Sequence, residues 1–289
     1  MTETTTDFFF DAPAQKLDLG ATRMVYRCYG SGPALLFVHG FPLSGFTWRN
    51  LLPELSQHFT CCLPDLAGMG ETEWTGQTEF SWTGHAQRLK QLADHLGLAR
   101  YSVLAQDTGG TIARQLALMD GGRVDKLAII NTEMPHHRPP WIPLYQLLMH
   151  LPGTLASFGL LLRSRLYLRS GMAFGGCFTD LDLIDGEFHQ HVVAPLLESP
   201  RRMQGMRQYL LGLKWPFVDS LAQEHARMTM PVQLIWGADD PTFPVALARE
   251  MVKQFPDASL AEIPGAKLLV HEEKPEEVLR AVLPFLRPA

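Results

Sequence analysis

Basic charge is the first thing this sequence has little of. Lys and Arg number 25 against 30 Asp and Glu, a formal net charge of −5, and no basic stripe stands out, which argues against a general nucleic-acid surface. Cysteine is scarce too. Cys28, Cys61, Cys62 and Cys177 show neither paired nor metal-ligand spacing and read as buried free thiols of a reducing compartment. No run reaches the ~20 apolar residues needed to cross a bilayer. The nearest, Leu147 to Leu162, is interrupted by His150, Pro152 and Gly153; it reads as part of a greasy lid, with a membrane-surface role as the alternative. Met1 to Thr6 is polar and carries no basic n-region, so no signal peptide is expected and the cytoplasm is the expected location. No GxGxxG follows the first strand and no P-loop is present, so no organic cofactor is expected. His189-Gln190-His191 has no third ligand spaced to help, so no metal is expected either. Repeats and low-complexity tracts are absent.

What remains is a globular composition, 46% hydrophobic and 19% charged, on a chain long enough for one large α/β domain or a core with an inserted lid. Lys16 to Asp18 and Met24 to Cys28 read as opening strands. Ala34 to Val38 is a continuous apolar run, as in a parallel strand buried on both faces. A helix is expected over Thr47 to Leu55, a strand at Cys61 to Leu63, and a helix from Trp82 to Leu96 that stops at Gly97. A strand at 101–106, a helix from about Gly110 to Met119 and a strand at Leu127 to Ile130 follow. Strands alternating with helices of this length predict a doubly wound, mostly parallel sheet. The rhythm breaks at Glu133 and resumes with strands at Val232 to Trp236 and Leu260 to Ile263 and helices at Val245 to Gln254 and Pro275 to Leu286. The expected organisation is a core from 1–132 and 227–289 with a helical cap at 133–226.

The chemistry gathers around Ala105-Gln106-Asp107-Thr108-Gly109-Gly110. A buried strand running into a helix through a tight, small-residue turn is the context of a nucleophile elbow, and the side chain held there is the carboxylate of Asp107. A turn-forming Asp is the plainer alternative. HGFP at 39–42 and WGADDP at 236–241 complete a set of three motifs whose order and spacing resemble the α/β-hydrolase family over essentially the whole chain outside the cap. An aspartate at the elbow resembles the branch holding haloalkane and haloacid dehalogenases and epoxide hydrolases. Gln-Asp followed by Gly-Gly is similar to haloalkane dehalogenases, and HGFP to epoxide hydrolases. The resemblance implies that Asp107 attacks carbon to form an ester, that a His–acid pair then activates water, and that the amides of Phe41 and Thr108 form the oxyanion hole. It places the acid at Asp240, with Glu133 as the lesser candidate.

The family's motif after the last strand resembles PGAGHFVHEEKP, whereas this chain has Pro264-Gly265-Ala266-Lys267-Leu268-Leu269-Val270-His271-Glu272-Glu273-Lys274-Pro275. Leu268 stands where the catalytic histidine is expected and cannot accept a proton. Three accounts stay open: a base from His271, His136 or His137; Asp107 as a general base for elimination, isomerisation or decarboxylation; or a catalytically silent site that binds a ligand. Thr108 follows the nucleophile where haloalkane dehalogenases commonly have Trp, with Trp141 as a substitute indole. Tyr145, Tyr167 and Tyr209 are candidate proton donors to an opening epoxide, Tyr209 first. Phe158, Leu160 to Leu162, Phe174, Phe178, Phe188, Trp215 and Phe217 suggest an apolar pocket. The expected partner is a small to medium apolar molecule, and a homodimer is among the assemblies left open.

Overall fold

The apolar runs form the middle of one nine-stranded sheet in the computed structural model, which describes residues 4–287. β1 (Gln15–Asp18), β2 (Thr22–Tyr29), β3 (Ala34–Val38), β4 (Thr60–Pro64), β5 (Glu73–Trp74), β6 (Tyr101–Gln106), β7 (Val124–Ile130), β8 (Val232–Gly237) and β9 (Ala258–Ile263) make up the sheet. Their spatial order is β1-β2-β4-β3-β6-β7-β8-β9, with β5 beside β2. β2 runs antiparallel to β1, β4 and β5, and every pairing from β4 across to β9 is parallel. β6 is buried at all six positions because helices cover both faces of a parallel sheet, which is why its Val103-Leu104-Ala105 run is apolar without alternation.

Register brings the functional motifs together. Val38 pairs with Ala105, Gln106 with Ile130, and Ile130 with Ile235. The residues just after β3, β6, β7 and β8 therefore emerge side by side at the carboxyl edge of the sheet, the usual ligand-binding edge of an α/β sheet.

Between β7 and β8 the described chain is helical. It includes helices at Trp141–Leu148, Thr154–Leu161, Pro200–Gly212 and Trp215–Glu224 and a π-helical turn at His189–Val193. Elsewhere the elements differ from expectation in ways that have local causes. The helix expected over 47–55 is a 3-10 turn at Gly45–Trp48 and a single α turn at Leu52–Leu55 that contains Pro53. The helix expected from Gly110 starts at Thr108, and the one expected to reach Gln254 tightens into 3-10 geometry after Met251. A helix at Thr5–Asp11 was hidden in a polar terminus; Thr4 and Asp7 form a reciprocal capping box, and Phe9 is buried. The four thiols are free, yet Cys28 and Cys62 face each other across β2 and β4 with their Sγ atoms 3.4 Å apart.

Candidate active site

Asp107 joins β6 to the helix Thr108–Met119 with φ +53° and ψ −129°. A non-glycine residue rarely adopts this backbone, so its surroundings must hold it. Its N–H donates to the carbonyls of Ile130 (3.1 Å) and Asn131 (2.7 Å). Its carbonyl accepts from the Gly110 amide and the Thr132 hydroxyl, both at 2.8 Å. Two glycines permit the close approach. A Cβ on Gly109 would stand 2.2 Å from the Val38 carbonyl oxygen, and one on Gly40 would stand 2.6 Å from the Cβ of Asp107. The Phe41 amide donates to Asp107 Oδ2 at 2.9 Å, and the Thr108 amide also bonds the carboxylate. The two expected amides thus converge on the expected carboxyl group. Burial pushes the Asp107 carboxyl well above the usual range, and the nearby Glu133 carboxylate pushes the same way; the two amides oppose them.

Glu133, the lesser candidate, lies closer to the chemistry than its rank suggested. It is buried and lines the same cavity as Asp107, with Oε2 accepting from the Thr111 hydroxyl at 2.6 Å. The Thr132 hydroxyl that reaches the Asp107 carbonyl is also 3.2 Å from this oxygen. Beneath them Arg114 is wholly buried and donates to Thr111 Oγ1, Thr132 Oγ1 and the Glu133 carbonyl. Burial pushes the Glu133 carboxyl up and draws the Arg114 guanidinium down to about 10. Arg114, Thr111 and Thr132 were invisible as site residues because nothing in their spacing marks a cation beneath two carboxyls.

Asp240 follows β8, but its partners are amides. Oδ2 accepts from Asn131 Nδ2 at 2.7 Å and Oδ1 from the Thr242 amide at 2.7 Å. Asn131 is held in turn by the Gly237 amide, which donates to its Oδ1 at 2.8 Å. Burial pushes Asp240 up to about 6. Asp240 is near enough to be felt as a charge at Asp107, yet among the described residues no imidazole stands between the two acids.

The three histidines considered as substitutes are all elsewhere. His271 is fully buried, stacked on Trp48 at 4.9 Å, with Nε2 2.7 Å from Thr47 Oγ1. The Thr47 hydroxyl donates to Glu272 Oε1, so its oxygen accepts from Nε2–H and His271 is neutral, its pKa drawn down to about 3 by burial and by Arg49. His136 is exposed beside Asp219, and His137 donates from Nε2 to the Thr242 carbonyl. None lines the cavity, whereas Leu268 does. His189 and His191 sit on the π-helical turn, His191 with its ring 4.4 Å from Phe46.

That cavity has a volume of about 170 Å³ and mostly apolar walls. Among the described residues no His, Lys or Arg lines it. Of the aromatics expected there, Phe158, Phe174 and Trp215 contribute, as does Leu162. Phe178 and Phe188 instead pack on each other at 5.1 Å, Phe217 stacks on Trp82, and Leu160 and Leu161 face outward. Tyr145 and Tyr167 line the wall with their hydroxyls 2.8 Å apart, Tyr145 donating to the Met172 carbonyl. Tyr209 does not reach the cavity. It is fully buried one layer behind, its hydroxyl 2.8 Å from Thr108 Oγ1 and its ring stacked on Phe41 at 5.6 Å. It braces the two residues whose amides hold Asp107. Trp82, absent from the sequence-based candidates, lines the wall and donates its indole N–H to the Lys214 carbonyl.

Residues 33–165 match the family model described as the alpha/beta hydrolase fold. The chain is 28% identical over 269 residues to haloalkane dehalogenase 2 of Mycobacterium tuberculosis, covering 92% of each. It is also 28% identical over 280 residues to the soluble epoxide hydrolase of Corynebacterium sp. strain C12, covering 92% of this chain and 94% of that one. Among solved structures, an alpha/beta hydrolase fold protein from Burkholderia ambifaria superposes with a TM-score of 0.78 at 23% identity, over 94% of this chain and 100% of that one.

Proposed function

We propose that this chain, a protein of the α/β-hydrolase fold, uses Asp107 as a nucleophile on a small to medium apolar electrophile, an epoxide before an alkyl halide. The observation that carries this reading is a carboxyl group held by two backbone amides on the wall of an apolar cavity. Attack at carbon breaks the C–O bond of an epoxide, or expels halide, and leaves an ester on Asp107. The oxygen held by the Phe41 amide becomes the ester carbonyl oxygen, where charge would gather if water attacked. An opening epoxide needs a proton, and Tyr145 and Tyr167 bring phenol hydroxyls to the wall. For a departing halide, Trp82 and Trp215 already donate their indole N–H groups, to Lys214 and Gln146, which leaves Trp141. In this reading residues 133–226 are the cap that closes the cavity over the core.

The second half-reaction has no histidine base among the described residues. Leu268 faces the cavity, and Asp240 is engaged by Asn131 and Thr242. The ester is therefore expected to persist.

Only the ionised carboxyl attacks, and burial together with Glu133 holds Asp107 in its protonated form toward higher pH. The alkylation rate, followed as mass gain, is expected to climb about tenfold per pH unit until Asp107 ionises. Glu133→Gln removes the like charge and should move the same profile to lower pH. A rate that does not vary with pH between about 5 and about 9 would argue against Asp107 as the attacking group.

The upward push on Asp107 also supports a second reading, proton transfer. A general base for isomerisation or elimination needs no second residue to regenerate it, so Leu268 would not stop its cycle. Solvent deuterium entering an apolar ligand, and failing to enter with Asp107→Asn, would mark this chemistry instead.

A further inference from the structure

Helices Trp141–Leu148 and Thr154–Leu161 carry no charged residue and bury no residue fully. Their inner face lines the cavity through Trp141, Ile142, Tyr145 and Phe158. Their outer face is apolar too. Leu147 is 63% exposed and Leu160 is 70% exposed, and on the following turn Leu166 is 86% exposed. Helices that are apolar all round are ordinarily buried in protein or in lipid, and these are neither in the isolated chain. Most of the exposed large apolar side chains of the described chain fall in this stretch; among the few outside it are Phe10, Leu183 and Leu247.

We propose that this face docks on an anionic lipid surface, lying in the plane of the membrane rather than crossing it. No described helix is long and apolar enough to span a bilayer. Charge decides between lipid and a second copy of the chain. No acidic residue occurs from Met134 through Thr179, while Arg163 and Arg165 flank the exposed leucines. Arg163 donates to the Leu197 carbonyl, and Arg165 pairs with Asp185 while its side chain stays 71% exposed. A twofold contact between two such faces would bring arginines toward arginines, whereas anionic headgroups would neutralise them. The outward side chains are aliphatic, lacking the aromatic and hydrogen-bonding anchors that protein interfaces favour. An apolar face with a basic flank is the pattern of helices that lie in the membrane interface.

The inference rests on the surface of these helices and not on the chemistry of Asp107. Its consequence for the ligand is direct, since an apolar molecule dissolved in the bilayer would meet the helices whose other face lines the cavity.

Vesicle flotation of the full chain tests it, using phosphatidylcholine alone and phosphatidylcholine mixed with phosphatidylglycerol. The chain should float with the mixed vesicles. Binding to the neutral vesicles should be weaker by roughly fivefold, the contribution of Arg163, because Arg165 is already paired with Asp185, and salt should erode the difference. Leu147→Asp, Leu160→Asp and Leu166→Asp combined should weaken binding by about tenfold per site, with an unchanged circular dichroism spectrum because the three side chains are exposed. The difference between mixed and neutral vesicles, measured on the unaltered chain, gives a readout that needs no variant. The chain staying out of both vesicle types would overturn the proposal. So would a dimer in sedimentation velocity that the triple variant dissolves and vesicles do not.

Discussion

Leu268→His combined with Lys267→Gly is expected to convert a single alkylation into turnover. Leu268 lines the cavity with Asp107, and its carbonyl accepts a hydrogen bond from Gln106, the residue before Asp107. An imidazole at this position would project where a water attacking an Asp107 ester must lose its proton. Asp240, at about 6, is mostly ionised at neutral pH and available to orient that imidazole once Asn131 releases it. The Lys267 change frees the turn, because Lys267 Nζ ties it to the Gly175 carbonyl of the helical segment. A positioned general base typically contributes about 10²- to 10⁴-fold, so hydrolysis of the preformed ester should quicken by that order. The measurement is loss of adduct mass over time from protein alkylated in advance. An adduct equally long-lived in the double variant would mean that more than the base is missing.

Asp107→Asn should abolish alkylation and at the same time stabilise the fold. Asparagine keeps an oxygen for the Phe41 amide but cannot be ionised, so the cost of holding a charge in a buried apolar site next to Glu133 disappears. Relief of this kind at strained functional sites is commonly worth about 0.5–2 kcal/mol, a few degrees in Tm. The pH dependence carries the sign. A carboxyl raised in the folded state binds its proton more tightly than in the unfolded chain, so its contribution to stability is fully present below about pH 4 and is lost as pH rises through the folded value. The advantage of Asp107→Asn should therefore be small at about pH 4 and grow toward neutrality. Thermal unfolding across pH checks it, and an advantage that shrinks as pH rises would contradict the burial account.

The parts legible in the sequence were those set by local pattern. Ala34 to Val38 and the 101–106 strand reveal themselves because parallel strands covered on both faces are apolar without alternation. Asp107 with Gly109 and Gly110 is readable because only small residues tolerate the approach of helix to sheet there. What stayed hidden depends on distance in space. Nothing in the sequence marks Asn131 as a site residue, yet it is the clamp of Asp240, and only the Ile130–Ile235 pairing brings the two together. His271 could not be excluded until its bond to Thr47, 224 positions away, came into view. Tyr209 was the favoured proton donor from its place in the chain, yet its hydroxyl is engaged by Thr108 behind the cavity wall. Leu160 and Leu161 were expected inside the pocket because apolarity alone does not say which face of an all-apolar helix turns inward.

The central claim is that Asp107 can be alkylated and that nothing in its site frees it. Intact-protein mass spectrometry after incubation with a panel of epoxides and alkyl halides, followed by peptide mapping, tests this most directly. The expected result is a stoichiometric mass gain located at Asp107, stable over hours, without accumulation of diol or alcohol product and absent from Asp107→Asn. Steady product formation by the unaltered chain, or no mass gain with any member of the panel, would contradict it.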